Sequence, residues 1–225
     1  MEIIQKEKFF EDSVEPIYIN TSKKIIYQME KCICKIYSEK FGSGTGFFIK
    51  IPFSNQSLIP VLVSTSFVID SKAIKGDSIK ISLNDDKELK EIKLKDTIRK
   101  IFIDDELITT FIEILPEDKI SDFLEIDEHL FTDDKIFENI FIKNSIYILN
   151  YLKGERAAMS PGILRRINDE TIFHLCNTEN GSAGGPILLL KSLKVIGFHY
   201  GAAKINKENR GIIINYPIMK FQKQK

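Results

Sequence analysis

Tryptophan is absent from the 225-residue sequence, and cysteine and histidine occur only three times each. The odd, sparse cysteine set (Cys32, Cys34 and Cys176) excludes a disulfide framework. Cys32 and Cys34 stand two apart, on one face of a strand. That is not zinc-ligand spacing, no cluster of histidine or cysteine partners accompanies them, and they read as small buried residues with no metal. Charge of one sign is also lacking: 32 basic and 32 acidic side chains give a formal net charge of zero. Without a basic surface there is no counterion release to drive nucleic-acid binding and no electrostatic attraction to an anionic membrane. No apolar run approaches the ~20 residues of a membrane span. Residues 1–16 mix acids and lysines and lack the apolar core of a secretory signal. These absences lead to the expectation of a cytoplasmic protein with no cofactor, no membrane partner and no nucleic-acid partner. The shortage of histidine matters most. Any proton-transfer chemistry near neutral pH would have to come from His129, His174 or His199.

What is abundant is isoleucine, 39 residues in a chain that is 43% hydrophobic, enough to bury a substantial core. Branched side chains fit a pleated sheet and lose rotamer freedom in a helix. Short apolar runs recur between clusters of Asn, Asp, Gly and Lys: 31–37, 47–51, 60–64, 78–83, 91–94, 98–103 and 109–114. A second set covers 145–149, 157–167, 171–176, 186–190, 195–199 and 211–214, with a strand end or short helix at 216–221. The spacing predicts an all-β chain of short strands. Between the two sets lies an acid-rich stretch beginning near Pro116. The chain therefore divides into an extension over 1–24, a first β unit over 25–115, a connector over 116–140 and a second β unit over 141–225. The glycines at 42, 44 and 46 are not a phosphate loop, because no Lys-Ser/Thr pair follows and the segment feeds a strand.

One segment stands apart: Gly181-Ser182-Ala183-Gly184-Gly185-Pro186, followed by Phe198-His199-Tyr200-Gly201. A Gly-X-Ser-Gly-Gly-Pro loop entering an apolar strand is the nucleophile loop of trypsin-like serine peptidases, and over residues 25–217 the chain resembles that superfamily, its glutamyl-endopeptidase-like branch most of all. The stretch GSGTGFFI at 42–49 resembles the family's early strand pair. Residues 58–69 resemble the strand that ends in a (T/N)-(N/A)-H-V-(I/L) signature, and 110–114 the strand after the catalytic aspartate. The resemblance implies two six-stranded antiparallel β-barrels of the chymotrypsin-like fold with a cleft between them.

The departures fall where the chemistry would be. Phe67 stands at the histidine position, Ile108 at the aspartate position and Ala183 at the nucleophile position. None of these side chains can carry a proton or attack a carbonyl. The backbone donors of the oxyanion hole, Gly181 and Ala183, remain, since a glycine can turn its N–H toward the point where its neighbour's converges. Carried over from the branch, the primary pocket would comprise Thr178, His199 and Gly201, whose hydroxyl and imidazole donors suit an acidic or glutamine side chain. The strand edge at 197–201 would pair with a peptide backbone. His174 is expected to fill a structural, hydrogen-bonded role. Phe67 and Ile108 are expected to face each other as an apolar replacement for a buried His–Asp pair.

The resulting expectation is a catalytically inactive serine-peptidase-like protein that binds a peptide or protein segment through the former cleft. Two other readings stay open: an endopeptidase acting through an unrecognised constellation, and a structural or regulatory partner whose cleft has closed.

Overall fold

The computed structural model describes residues 13–38, 42–53, 57–95, 99–132, 140–203 and 207–223. Residues 1–12 of the extension at 1–24, the connector residues 133–139 and Ile98 of one expected strand lie outside them. Helix α1 (Ile19–Cys32) comes first, so Lys31 and Cys32 end a helix where a strand was expected.

Seven strands follow: β1 (Ile33–Ser38), β2 (Gly42–Pro52), β3 (Leu58–Ser64), β4 (Ser78–Leu83), β5 (Glu88–Lys93), β6 (Ile101–Asp104) and β7 (Thr109–Glu113). They form one antiparallel sheet in the order β5-β4-β1-β2-β3-β7-β6. A one-turn helix, α2 (Ser71–Ile74), lies between β3 and β4, its N-terminus capped by Asp70. The second unit contains β8 (Ser145–Leu152), β9 (Arg156–Asn168), β10 (Thr171–His174), β11 (Pro186–Leu189), β12 (Val195–Ala202) and β13 (Asn209–Ile213), closed into a barrel in the order β10-β13-β12-β11-β8-β9. Helix α3 (Asn215–Gln222) ends the chain. This is the chymotrypsin-like two-barrel architecture, with the first barrel a curled seven-stranded half-barrel and not a closed six-stranded one. Its edge strand β5 reads ELKEIK and buries only Ile92, so it has little apolar surface with which to close the sheet and a charged edge that resists further pairing.

The period-2 alternation of strands places the core on both faces of the first sheet. Phe47, Ile49 and Ile51 of β2 and Val61 and Val63 of β3 join Tyr147, Ile187 and Phe198 of the second barrel in one apolar cluster. Phe48 and Leu62, one residue out of phase, join Ile36, Ile81, Ile92 and Ile112 in a second cluster whose buried members all belong to the first unit, with Ala183 of the second packed against it. Cys32 and Cys34 fall on this divide, Cys32 in the first cluster and Cys34 in the second. The helix-to-strand change at Ile33 thus removes them from a common face. Burial pushes the Cys32 thiol up to about 12, and the Cys34 and Cys176 thiols up as well, so none is a nucleophile near neutral pH.

Phe221 of α3 seats its ring against Phe53, Phe102 and Phe111 at centroid distances of 5.4, 5.6 and 6.0 Å, fixing the C-terminus to the first unit. In the connector, short 3₁₀ turns at Pro116–Asp118 and Glu128–Phe131 flank two isolated parallel bridges, Ile49 with Leu124 and Ile126 with Val195. Arg99 and Asp118 form a buried two-point ion pair at 2.8 and 3.2 Å that holds the first turn. Among the described residues no helix is long and apolar enough to cross a membrane.

Candidate functional site

The loop between β10 and β11 is shaped by two glycines in the left-handed region, Gly181 at φ +91° and Gly184 at φ +89°. Both approach backbone closely. A Cβ on Gly184 would lie 2.0 Å from the Thr45 carbonyl oxygen, and one on Gly181 would lie 2.4 Å from that of Tyr151. The loop is therefore seated against β2 on one side and the β8–β9 hairpin on the other.

Thr45, fully buried, is the pivot of that seat. Its N–H donates to the Ala183 carbonyl at 2.9 Å and its hydroxyl to the Gly181 carbonyl at 2.7 Å. The same hydroxyl accepts the Tyr151 N–H at 3.0 Å, and the Ser64 hydroxyl donates to the Thr45 carbonyl at 2.8 Å. On the other flank the Gly184 N–H donates to the His199 carbonyl and the His199 N–H to the Gly185 carbonyl, both at 2.8 Å. With the Ser182 carbonyl turned inward to the Gly185 N–H at 2.9 Å, the trans peptide sends the Ala183 N–H the opposite way. Among the described residues neither the Gly181 N–H nor the Ala183 N–H makes a hydrogen bond.

Ser182 is fully buried, and its hydroxyl accepts the Glu179 N–H at 3.1 Å. Among the described residues no imidazole is in hydrogen-bond contact with it. His129 sits on the 3₁₀ turn of the connector, where its Nδ1 meets buried Asp127 at 2.8 Å. Asp127 also accepts the Ser192 hydroxyl at 3.0 Å. Asp104 is buried beside Lys220. Burial alone would raise its carboxyl, but the Lys220 ammonium and the Leu107 and Glu106 N–H groups hold it below the ordinary range.

Phe67 lies in the turn after β3 and keeps 48% of its surface exposed. The Ser66 N–H donates to the Ile108 carbonyl at 3.2 Å, which brings the turn of Phe67 beside Ile108. The expected buried apolar pair does not form, because half of the Phe67 ring is in solvent. Ile108 has φ +49°, a left-handed conformation that is strained for a β-branched residue.

His199 is 3% exposed and its Nδ1 lies 3.3 Å from Nε2 of fully buried His174. The Cys176 N–H donates to His174 Nδ1 at 3.3 Å, which leaves the proton of a neutral His174 on Nε2, directed at His199. This bears out the structural, hydrogen-bonded role expected of His174. Burial drives both imidazoles down, His199 to about 4 against a smaller opposing pull from the Arg210 carbonyl, and His174 well below the ordinary range with His199 adding to the effect. Both are neutral near pH 7. Thr178 is half-buried and makes no hydrogen bond among the described residues, and it is not in hydrogen-bond contact with His199. The β12–β13 ladder shifts register between His199 and Gly201, and a Cβ on Gly201 would meet nothing within 4 Å. The edge expected to receive a peptide over 197–201 is paired on both sides from 197 to 199, with β11 and its loop on one side and β13 on the other, so among the described residues it lacks a second neighbour only over 200–202, beside the open space at Gly201.

Thr45 and the His174–His199 contact escaped the sequence. The GSGTG run marked the first as a motif, without showing that its threonine serves the distant loop. No spacing signal links two histidines 25 residues apart.

No protein-family model matches the sequence, and no curated protein matches it. Solved structures do. The chain is similar to an inactive-form alanine-for-serine mutant of Rv3671c from Mycobacterium tuberculosis H37Rv, at 15% identity and a TM-score of 0.65, covering 95% of this chain and 98% of that one. It is also similar to a serine endoprotease from Yersinia pestis, at 10% identity and a TM-score of 0.66, covering 93% of this chain and 68% of that one. A third likeness is to Deg5, at 17% identity and a TM-score of 0.63, covering 89% of this chain and 91% of that one. At these identities the likeness establishes a trypsin/chymotrypsin-like serine protease fold.

Proposed function

We propose that this chain is a serine-protease-fold protein without peptidase activity that binds a peptide or protein segment through the former cleft. The observation that carries the reading is the state of the loop: the Gly181 and Ala183 N–H groups have no partner among the described residues, and they stand beside a serine whose hydroxyl is buried and already bonded. Two unspent donors and an open edge at Gly201 suit a peptide carbonyl and backbone, while Phe67, Ile108 and Ala183 supply no nucleophile or base. Thr178, His199 and Gly201 form the pocket in this reading, and its anchor is an acidic or glutamine side chain. Treatment with a fluorophosphonate probe and a mixed peptide library tests it. Labelling or cleavage abolished by Ser182→Ala would overturn the inactive assignment. Peptide retention lost on Thr178→Ala would support the pocket.

One observation favours a second reading, a regulatory or structural partner with a closed pocket. His199 is 3% exposed, its Nδ1 faces His174, and the Arg210 carbonyl lies beside it. Peptide affinity unchanged by both Thr178→Ala and His199→Ala would select that reading.

A further inference from the structure

A groove of about 910 Å³ lies on the first unit, and its lining contains none of Thr178, Ala183 and His199. It opens where two strands part. The β1–β4 ladder pairs Cys34 with Leu83, Lys35 with Ser82 and Ile36 with Ile81, and stops there. Strand β1 nevertheless runs two residues further, to Ser38, and β4 begins three residues earlier, at Ser78. The backbone edge of β4 over residues 78–80 is thus paired with β5 on one side and, among the described residues, with no strand on the other. Buried Val68, Ile69 and Ile79 line the groove. Its charge is one-sided. Lys72, Lys75 and Lys80 all line it and are exposed, against a single lining carboxylate, Asp70. The Asp70 Oδ1 is already engaged by the Lys72 and Ala73 N–H groups at 3.0 and 2.9 Å. Neither Lys75 nor Lys80 has an acidic partner among the described residues. In a chain of zero net charge this is a local cationic rim around an unpaired strand edge.

We propose that this groove docks an extended acidic segment of a partner protein, which adds as a strand along the 78–80 edge of β4. A β-strand supplies the backbone donors and acceptors the edge lacks, and its alternating side chains place apolar residues toward Val68 and Ile79 and carboxylates toward the lysines. The site begins one residue beyond Phe67 and uses neither Thr178 nor His199.

The test uses a fluorescein-labelled octapeptide of alternating glutamate and valine, with fluorescence anisotropy at low ionic strength as the readout. Its lysine–valine counterpart and a form N-methylated at alternate backbone nitrogens serve as comparisons. Expected is saturable binding of the acidic peptide alone, weakened at least tenfold by the double substitution Lys75→Glu/Lys80→Glu. Equal binding of the N-methylated peptide, or of a heparin fragment, would reduce the site to a general polyanion patch and overturn strand addition. Full affinity in the double variant, or no binding of the acidic peptide, would overturn the groove as the site. Both lysines are exposed, so the variant retains the fold.

Discussion

Thr45 holds Ala183: the N–H of one, on a strand of the first unit, donates at 2.9 Å to the carbonyl of the other, at the centre of a loop of the second. The Thr45 hydroxyl adds bonds to Gly181 and Tyr151, so one buried side chain ties the loop to the β8–β9 hairpin behind it. Replacing it with valine keeps the volume but leaves the Gly181 carbonyl and the Tyr151 N–H without a partner. Thr45→Val is expected to cost about 1–3 kcal/mol in urea denaturation, and Thr45→Ser to restore most of it. A neutral Thr45→Val would refute the pivot.

The two glycines at 184 and 201 are expected to respond oppositely to the same added methyl. At Gly184 the Cβ meets a carbonyl oxygen at 2.0 Å in a left-handed backbone, so Gly184→Ala should lower stability by more than about 2 kcal/mol or abolish folding. At Gly201 there is open space, and Gly201→Ala should stay within about 0.5 kcal/mol. Thermal unfolding of the pair decides this.

Stability should fall on mild acidification. The folded-state pKa of His199 is depressed to about 4 and that of His174 lies well below its ordinary value, both chiefly by burial, while the unfolded values lie near 6.5. Between those limits the unfolded chain binds more protons, so stability rises with pH through that window and is fully present above about 6.5. The His199 depression alone corresponds to a loss on the order of 2–4 kcal/mol as pH drops toward 4. Urea midpoints at pH 7.5 and pH 5 should differ, and the difference should shrink in a His174→Gln/His199→Gln variant. A pH-independent midpoint across this window would sink the neutral-pair assignment.

Ile108 is strained where it stands, at φ +49°. Asparagine tolerates this region several-fold better than a β-branched residue, and Ile108→Asn is expected to raise stability by roughly 1 kcal/mol. A lower melting temperature would mean that packing of the isoleucine outweighs its backbone strain.

The strand pattern was legible because it rests on local alternation: in β2 and β3, Phe47, Phe48, Val61, Leu62 and Val63 announce a sheet buried on both faces. The nucleophile-like loop was legible as well, since Gly181 and Gly184 are demanded by left-handed backbone that few other residues adopt. What the sequence concealed is long-range. Nothing near Thr45 shows that its hydroxyl spans 136 residues to Gly181. The closure of the first sheet was overestimated because β5 has the alternation of a strand and too few apolar residues for a partner on its outer side. Lys31 and Cys32 have the alternation of a strand, but two residues of alternation do not outweigh the helix that precedes them.

The connector's two bridges carry one more consequence. Leu124 is fastened to β2 of the first unit and Ile126 to β12 of the second, so a single residue separates the two anchor points. Two residue steps of extended chain reach only about 7 Å, a tether too short to let the units swing apart on this side. The connector thus acts as a clasp that holds β2 and β12 at a fixed spacing along this part of the seam.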